Sequence, residues 1–123
     1  SVLEDTPAIV LSAVFRLTGK PAEEIRARMK ELMSKRSASQ PLELPSAGSA
    51  FKRPVGGYAA ALIDQAGLRG YQVGGAAISE KHAGFAVNLG GATAADVQAL
   101  LGQVSDIVFD HSGIRLEPEV RIW

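Results

Sequence analysis

The sequence predicts a single α+β domain, residues 1–123, with a mixed or antiparallel sheet and helices covering one face. Three observations predict it. Short runs alternate polar and apolar residues with period two, longer runs repeat apolar residues at helical spacing, and Gly, Pro and Ser clusters separate the two kinds. In chain order they read strand, helix, loop, helix, two strands, helix, strand, a pattern that layers helices onto one sheet.

Residues 9–17 read IVLSAVFRL, with Leu11, Ala13, Phe15 and Leu17 on one face and Val10, Ser12, Val14 and Arg16 on the other. That alternation predicts a strand. Thr18-Gly19-Lys20-Pro21 breaks it, and Pro21 suits the first turn of a helix because its missing N–H would have no partner there. Glu23 and Glu24 complement the helix dipole. Ile25, Met29, Leu32 and Met33 then form an apolar stripe on a helix predicted to end near Arg36.

Residues 37–48 are rich in Ser and Pro, and Pro41 and Pro45 predict a surface loop. Residues 58–66 predict a short Ala-rich helix closed by Gly67, with Leu62 and Ile63 buried. Residues 71–79 and 84–88 read as two strands around Glu80-Lys81-His82-Ala83. Thr93 and Asp96 have capping-box spacing and open a helix carrying Val97, Leu100, Leu101, Val104, Ile107 and Val108, which Ser112-Gly113 end. Residues 114–123 predict a final strand, with Ile114, Leu116, Val120 and Ile122 facing inward and Pro118 marking an edge position or a bulge. No internal repeat or low-complexity tract interrupts this series.

Composition narrows the function. In 123 residues, 13 Lys+Arg balance 13 Asp+Glu, giving a formal net charge of 0 and a pI near 6.7. A chain that neutralises many phosphates or lies on an anionic bilayer carries a basic excess, so neither nucleic acid nor membrane is expected as a partner. With no Cys, the chain has no disulfide, thiolate metal site or cysteine nucleophile, and a reducing cytoplasm is its simplest location. No apolar run reaches the ~20 residues that span a bilayer, and the start Ser1-Val2-Leu3-Glu4-Asp5 is unlike a signal peptide.

Three places combine Gly or Pro with reactive side chains. In residues 47–57 a serine, Ser49, follows a glycine and precedes the adjacent cations Lys52 and Arg53 and then Gly56-Gly57. Such a segment suits a phosphate while presenting a hydroxyl, although it matches neither the P-loop nor GxSxG, and on spacing alone a turn with solvated basic residues explains it better. Lys81 and His82, followed by Asn88, suit a ligand carbonyl or phosphate, or equally a surface turn. A metal shared by His82 and His111 lacks a third ligand. Glu117-Pro118-Glu119-Val120-Arg121 sets a carboxylate beside a cation, the usual pattern of a strand ion pair and also a place for acid–base chemistry.

The strings GSAFKRP, LIDQAGLRGYQVGGAAISEKHAGFAVN, ATAADV and LEPEVRI, in that order, resemble the C-terminal domain of the bacterial UDP-N-acetylenolpyruvoylglucosamine reductases, also called UDP-N-acetylmuramate dehydrogenases. The resemblance runs from about Ile9 to Ile122, and SEKHAGF is similar to the form of the family that lacks an extra subdomain. It implies an FAD- and NADPH-dependent oxidoreductase that reduces UDP-N-acetylglucosamine enolpyruvate to UDP-N-acetylmuramate for peptidoglycan. By the same resemblance Ser49 is the proton donor and Glu119 the catalytic acid, with Glu117 a bystander. Glu119 is expected to work as a neutral hydrogen-bond donor in the complex. Lys52 and Arg53 fall to the substrate's pyrophosphate or carboxylate, and Lys81, His82 and Asn88 to the same cleft.

No GxGxxG or comparable dinucleotide loop occurs, so FAD and NADPH are expected to depend on an FAD-binding domain preceding Ser1, and the chain alone is expected not to turn over. Trp123 departs from the family pattern, which continues past this strand with a small residue. The rival expectation is a non-catalytic module of the same fold that binds a nucleotide sugar or a partner. Retention of both Ser49 and Glu119 argues for the enzyme domain.

Overall fold

The computed structural model describes residues 9–121. The chain divides into two units, residues 1–31 and 32–123, and the division falls inside the first helix, α1 (Ala22–Ser39).

In the first unit, the strand predicted over 9–17 is not formed. Those residues are irregular and exposed, Ile9 at 86% and Phe15 at 78%. Alternation marks a segment that can be half-buried in a sheet, but a strand exists only through hydrogen bonds to a neighbour, and residues 9–17 pair with no other described strand. The helix begins where Pro21 and the acids predict, with the Pro21 carbonyl accepting from Ile25 N–H at 3.2 Å. Arg26 pairs with Glu23 and Arg28 with Glu31, each at 2.7 Å. The apolar stripe is present but exposed, and no residue of α1 is buried. The helix runs past Arg36 to Ser39 and stops just before Gln40-Pro41, since proline disfavours helical backbone in the residue before it.

In the second unit, the predicted loop gives way to β1 (Ser46–Ser49), an edge strand. Its sequence, SAGS, lacks β-branched and aromatic residues, so propensity alone does not mark it as a strand. The helix α2 (Ala59–Gln65) follows, with Ile63 buried and Leu62 partly so. It ends in a Schellman motif: Gly67 adopts φ +71° and donates to Asp64 O at 2.9 Å, while Leu68 N–H reaches Ile63 O at 3.1 Å. Leu68 and Ile63 then join the same core.

The strand predicted over 71–79 is two strands, β2 (Gln72–Val73) and β3 (Ala76–Ile78), folded back at Gly74-Gly75. Gly74 sits at φ +55°, and a side chain on Gly75 would meet the backbone of Gly90 and Ala92 at 2.6 Å. β4 (Phe85–Asn88) completes an antiparallel sheet in the order β1-β4-β3-β2.

The last helix, α3 (Ala94–Ser112), lies against β2 and β3 and touches α2. Leu100, Leu101, Val104 and Val108 fill the core with Ile63, Ile78, Phe51 and Leu116. Each such side chain contributes about 1.5–3 kcal/mol by leaving water. Both bonds of the predicted capping box form, Asp96 N–H to Thr93 Oγ1 at 3.1 Å and Thr93 N–H to Asp96 Oδ2 at 2.8 Å, and Gly113 closes the helix at φ +71°.

The final strand is also corrected. Residues 114–121 keep the predicted alternation, with Leu116 buried, Ile114 and Val120 partly buried, and Arg115, Glu117, Glu119 and Arg121 exposed. They form only an isolated bridge, Pro118 opposite Phe51, a non-hydrogen-bonded pair in which the N position of Pro118 faces away from its partner and the missing N–H costs no bond. Lys52 N–H to Glu117 O and Glu119 N–H to Ala50 O, both 2.9 Å, flank the bridge. Ile122 and Trp123 lie outside the described residues.

Thr93→Ala is expected to lower the unfolding free energy by about 1 kcal/mol, measured by urea denaturation. The Asp96 carboxyl is held below its ordinary value of 3.8, first by the Thr93 backbone N–H and then by its hydroxyl. A depressed folded-state value adds stability that is complete above the ordinary value and lost as pH falls through the lowered one. Asp96→Asn should therefore remove part of the acid limb of the stability profile below about pH 4.

Candidate functional site

One cleft, about 490 Å³, is lined by Ser49, Phe51, Arg53, Tyr58, Ala59, Ala60, His82, Gly84 and Glu119. Its size is that of a small-molecule site. Three separated segments supply the polar groups: the end of β1 brings Ser49 and Arg53, the β3–β4 connection brings His82, and the terminal segment brings Glu119. Ala50 joins them, its N–H donating to Gly84 O at 2.8 Å and its carbonyl accepting from Glu119 N–H at 2.9 Å. Neither the Ser49 hydroxyl nor the Glu119 carboxyl bonds another described residue, so both remain available to a ligand.

His82 is closely constrained. Ser79 Oγ, nearly buried, accepts from His82 N–H at 3.2 Å and from Lys81 N–H at 3.1 Å, fixing the turn. The ring meets Phe85 edge-on at 5.0 Å, and Nδ1 accepts from Gly84 N–H at 3.1 Å. An Nδ1 that accepts carries no proton, so in the neutral ring the proton is on Nε2, which is left as a donor for a ligand. The geometry also explains Gly84: a Cβ there would come within 3.0–3.1 Å of His82 Cε1 and Nδ1.

Of the lining residues that sequence reasoning did not nominate, Tyr58 is the one in contact with a nominated cation. It precedes α2, and the Arg53 guanidinium stacks 4.1 Å above its ring centroid. An aromatic residue following Gly56-Gly57, close behind a basic pair, was the available signal.

The other nominated residues stand elsewhere. Lys52 Nζ pairs with Glu117 Oε1, and Lys81 Nζ lies 3.5 Å from Glu43 Oε2. Asn88 Oδ1 accepts from Gly90 N–H at 2.8 Å and Ala92 N–H at 3.2 Å, organising the approach to α3. Asn88 borders a second, mostly apolar cavity of about 350 Å³, together with Ser46, Val97 and Val120. Nearby, Arg69 grips Asp64 through Nε at 2.5 Å and Nη2 at 3.0 Å, and this hydrogen bonding holds the Asp64 carboxyl below its usual value. Among the described residues no group of three or more His, Asp or Glu side chains could hold a metal ion, and no helix is long and apolar enough to cross a membrane.

The fold and cleft define a small α+β domain in which polar side chains converge on one cleft at the end of an antiparallel sheet. Residues 40–123 match the family described as "UDP-N-acetylenolpyruvoylglucosamine reductase, C-terminal domain". The chain is 56% identical over 122 residues to the UDP-N-acetylenolpyruvoylglucosamine reductase of Agathobacter rectalis, covering 99% of this chain and 39% of that protein. It is 52% identical to the reductase of Latilactobacillus sakei over 99% of this chain and 40% of the relative. The crystal structure of the UDP-N-acetylenolpyruvylglucosamine reductase from Thermus caldophilus superposes with a TM-score of 0.66 at 42% identity, over 87% of this chain and 38% of that one. The chain belongs to the UDP-N-acetylenolpyruvoylglucosamine reductase family, and residues 40–123 match its C-terminal domain. It spans about two fifths of the length of these relatives.

The His82 tautomer can be read directly. Long-range ¹H–¹⁵N spectra of the neutral imidazole are expected to show a protonated Nε2 and an unprotonated Nδ1. Gly84→Ala should crowd the ring and disturb that signature.

Proposed function

We infer that this chain forms the substrate half of an FAD- and NADPH-dependent oxidoreductase that converts UDP-N-acetylglucosamine enolpyruvate to UDP-N-acetylmuramate, in the cytoplasm, for peptidoglycan precursor synthesis. Family membership supports the reaction class. The single observation that carries the residue assignment is that one cleft holds both Ser49 and Glu119, although 70 positions, 119 − 49, separate them in sequence.

The glycine-rich turn before α3 does not fit a flavin or dinucleotide pyrophosphate. It is the nearest counterpart of such a loop, and three of its amides are engaged, Gly90 and Ala92 N–H by Asn88 Oδ1 and Thr93 N–H by the Asp96 carboxylate, which would repel an anion. FAD and NADPH are therefore assigned to the portion of the relatives that this chain does not span, and that portion is its partner.

On this reading, hydride addition to the vinyl methylene carbon leaves carbanion character on the adjacent carbon, next to the substrate carboxylate. The Ser49 hydroxyl gives that carbon its proton, and solvent restores the serine. A hydroxyl is a poor acid in water, yet it suffices against a far more basic carbanion if it is held beside it and water is excluded. Glu119, as a neutral acid, donates a hydrogen bond to the charge developing on the carboxylate. Arg53, steadied by Tyr58, and His82, through Nε2–H, bind the pyrophosphate or the carboxylate. Lys52, Lys81 and Asn88 do not line this cleft and are engaged in the pairs and turn already described, so this reading gives them no substrate contact.

The test uses the full-length enzyme that carries this chain. Ser49→Ala is expected to lower kcat for UDP-N-acetylmuramate formation by about 10²- to 10⁴-fold with substrate binding retained. Glu119→Gln is expected to change the pH dependence of kcat. A Ser49→Ala enzyme with the parent kcat, or a pH profile unchanged by Glu119→Gln, would overturn the corresponding role.

A further inference from the structure

Pairing between β1 and β4 contains one extra residue. Ser46 lies opposite Val87 and Ser49 opposite Phe85, so three steps along β1 match two along β4. This is a β-bulge, and Gly48 takes φ +92° within it, a conformation that side-chain-bearing residues rarely adopt. The extra residue decides which side chain reaches the cleft. In plain register Gly48 would stand opposite Phe85, whereas with the bulge Ser49 does, beside the residue whose ring packs against His82.

A bulge leaves backbone groups out of the ladder, and here a single side chain gathers them. The Ser46 hydroxyl donates to Ala86 O at 2.8 Å, the β4 carbonyl between the two registered pairs, and accepts from Gly48 N–H at 3.2 Å. A weaker alternative acceptor, Gly48 O, stands 3.4 Å away. Ser46 does not line the cleft that contains Ser49.

We propose that Ser46 is a positioning residue for the reaction: its hydroxyl clamps the bulge across to β4 and so holds Ser49 at its place in the cleft. This rests on the proton-donor role of Ser49 proposed above. Ser46 touches no substrate, and its effect on turnover runs through Ser49 alone.

In the full-length enzyme, Ser46→Ala is expected to lower kcat by about 10- to 100-fold, the cost of misplacing a reacting group, with little change in KM. Ser46→Thr keeps the hydroxyl and restores most of kcat. Ser46→Ala added to Ser49→Ala slows the enzyme no further, since the two act as one unit. Hydrogen exchange at the Gly48 amide reads the clamp independently of turnover: slow in the parent and in Ser46→Thr, fast in Ser46→Ala. A parent-like kcat in Ser46→Ala, a Thr variant as slow as the Ala variant, additive slowing in the double variant, or unchanged Gly48 exchange overturns the proposal. If Ser49→Ala is impaired and Ser46→Ala is not, the clamp alone fails. If Ser49→Ala keeps the parent rate, the proton-donor reading fails and the clamp loses its object.

Discussion

Ala50 is held by both of its backbone groups, the N–H to Gly84 O and the carbonyl by Glu119 N–H, and the arrangement of the cleft depends on that double attachment. Gly84 belongs to the β3–β4 connection and Glu119 to the terminal segment, regions far apart in the chain. A small residue, 1% exposed, pins them to the end of β1. Because the bonds are buried and made by backbone, losing either would strand a polar group away from water, a penalty larger than the bond's own net worth. Ser49, His82 and Glu119 are the side chains next to or near these anchors, so their convergence follows from main-chain pairing rather than from attraction among themselves.

The hydrophobic core fixes where those anchors lie. α3 presents Leu100, Leu101, Val104 and Val108, α2 presents Ile63, and the sheet contributes Ile78, while Phe51 and Leu116 reach in from the two irregular segments that flank the Pro118 bridge. Ser105 supplies a polar tie on the same side, its hydroxyl donating to Leu116 O at 2.8 Å in a buried position. The terminal segment is thus attached twice, to α3 through residue 116 and to the end of β1 through residues 117 and 119. These attachments hold a segment that makes only one isolated bridge and no ladder of its own.

Local sequence signals were most legible where short-range chemistry decides the outcome. Thr93 and Asp96 cap α3, Gly67 and Gly113 take left-handed backbone at helix ends, and Pro21 opens α1, all within a few residues of where the sequence indicates. Strands were less legible. Residues 9–17 carry the alternation of a strand and form none, whereas SAGS carries no such signal and forms β1. Both outcomes have one cause: a strand is defined by its neighbour, and β1 has β4 beside it.

The site divides along the same line. Sequence by itself determined the residue types, where α1 and α3 begin, the alternation that leaves Glu119 exposed beside a partly buried Val120, and, through ordered motifs, the family. Tertiary structure alone decided which residues share a cleft. It brought Ser49, Arg53, His82 and Glu119 together with Tyr58, turned Lys52 to Glu117 and Lys81 toward Glu43, and used the Asn88 side chain to hold the loop before α3. Charge and spacing do not reveal such partners, because an exposed cation pairs with whatever carboxylate the fold places within reach. The bulge at Gly48 makes the same point within four residues, since the extra position exists only as a mismatch between two strands and has no meaning in one of them.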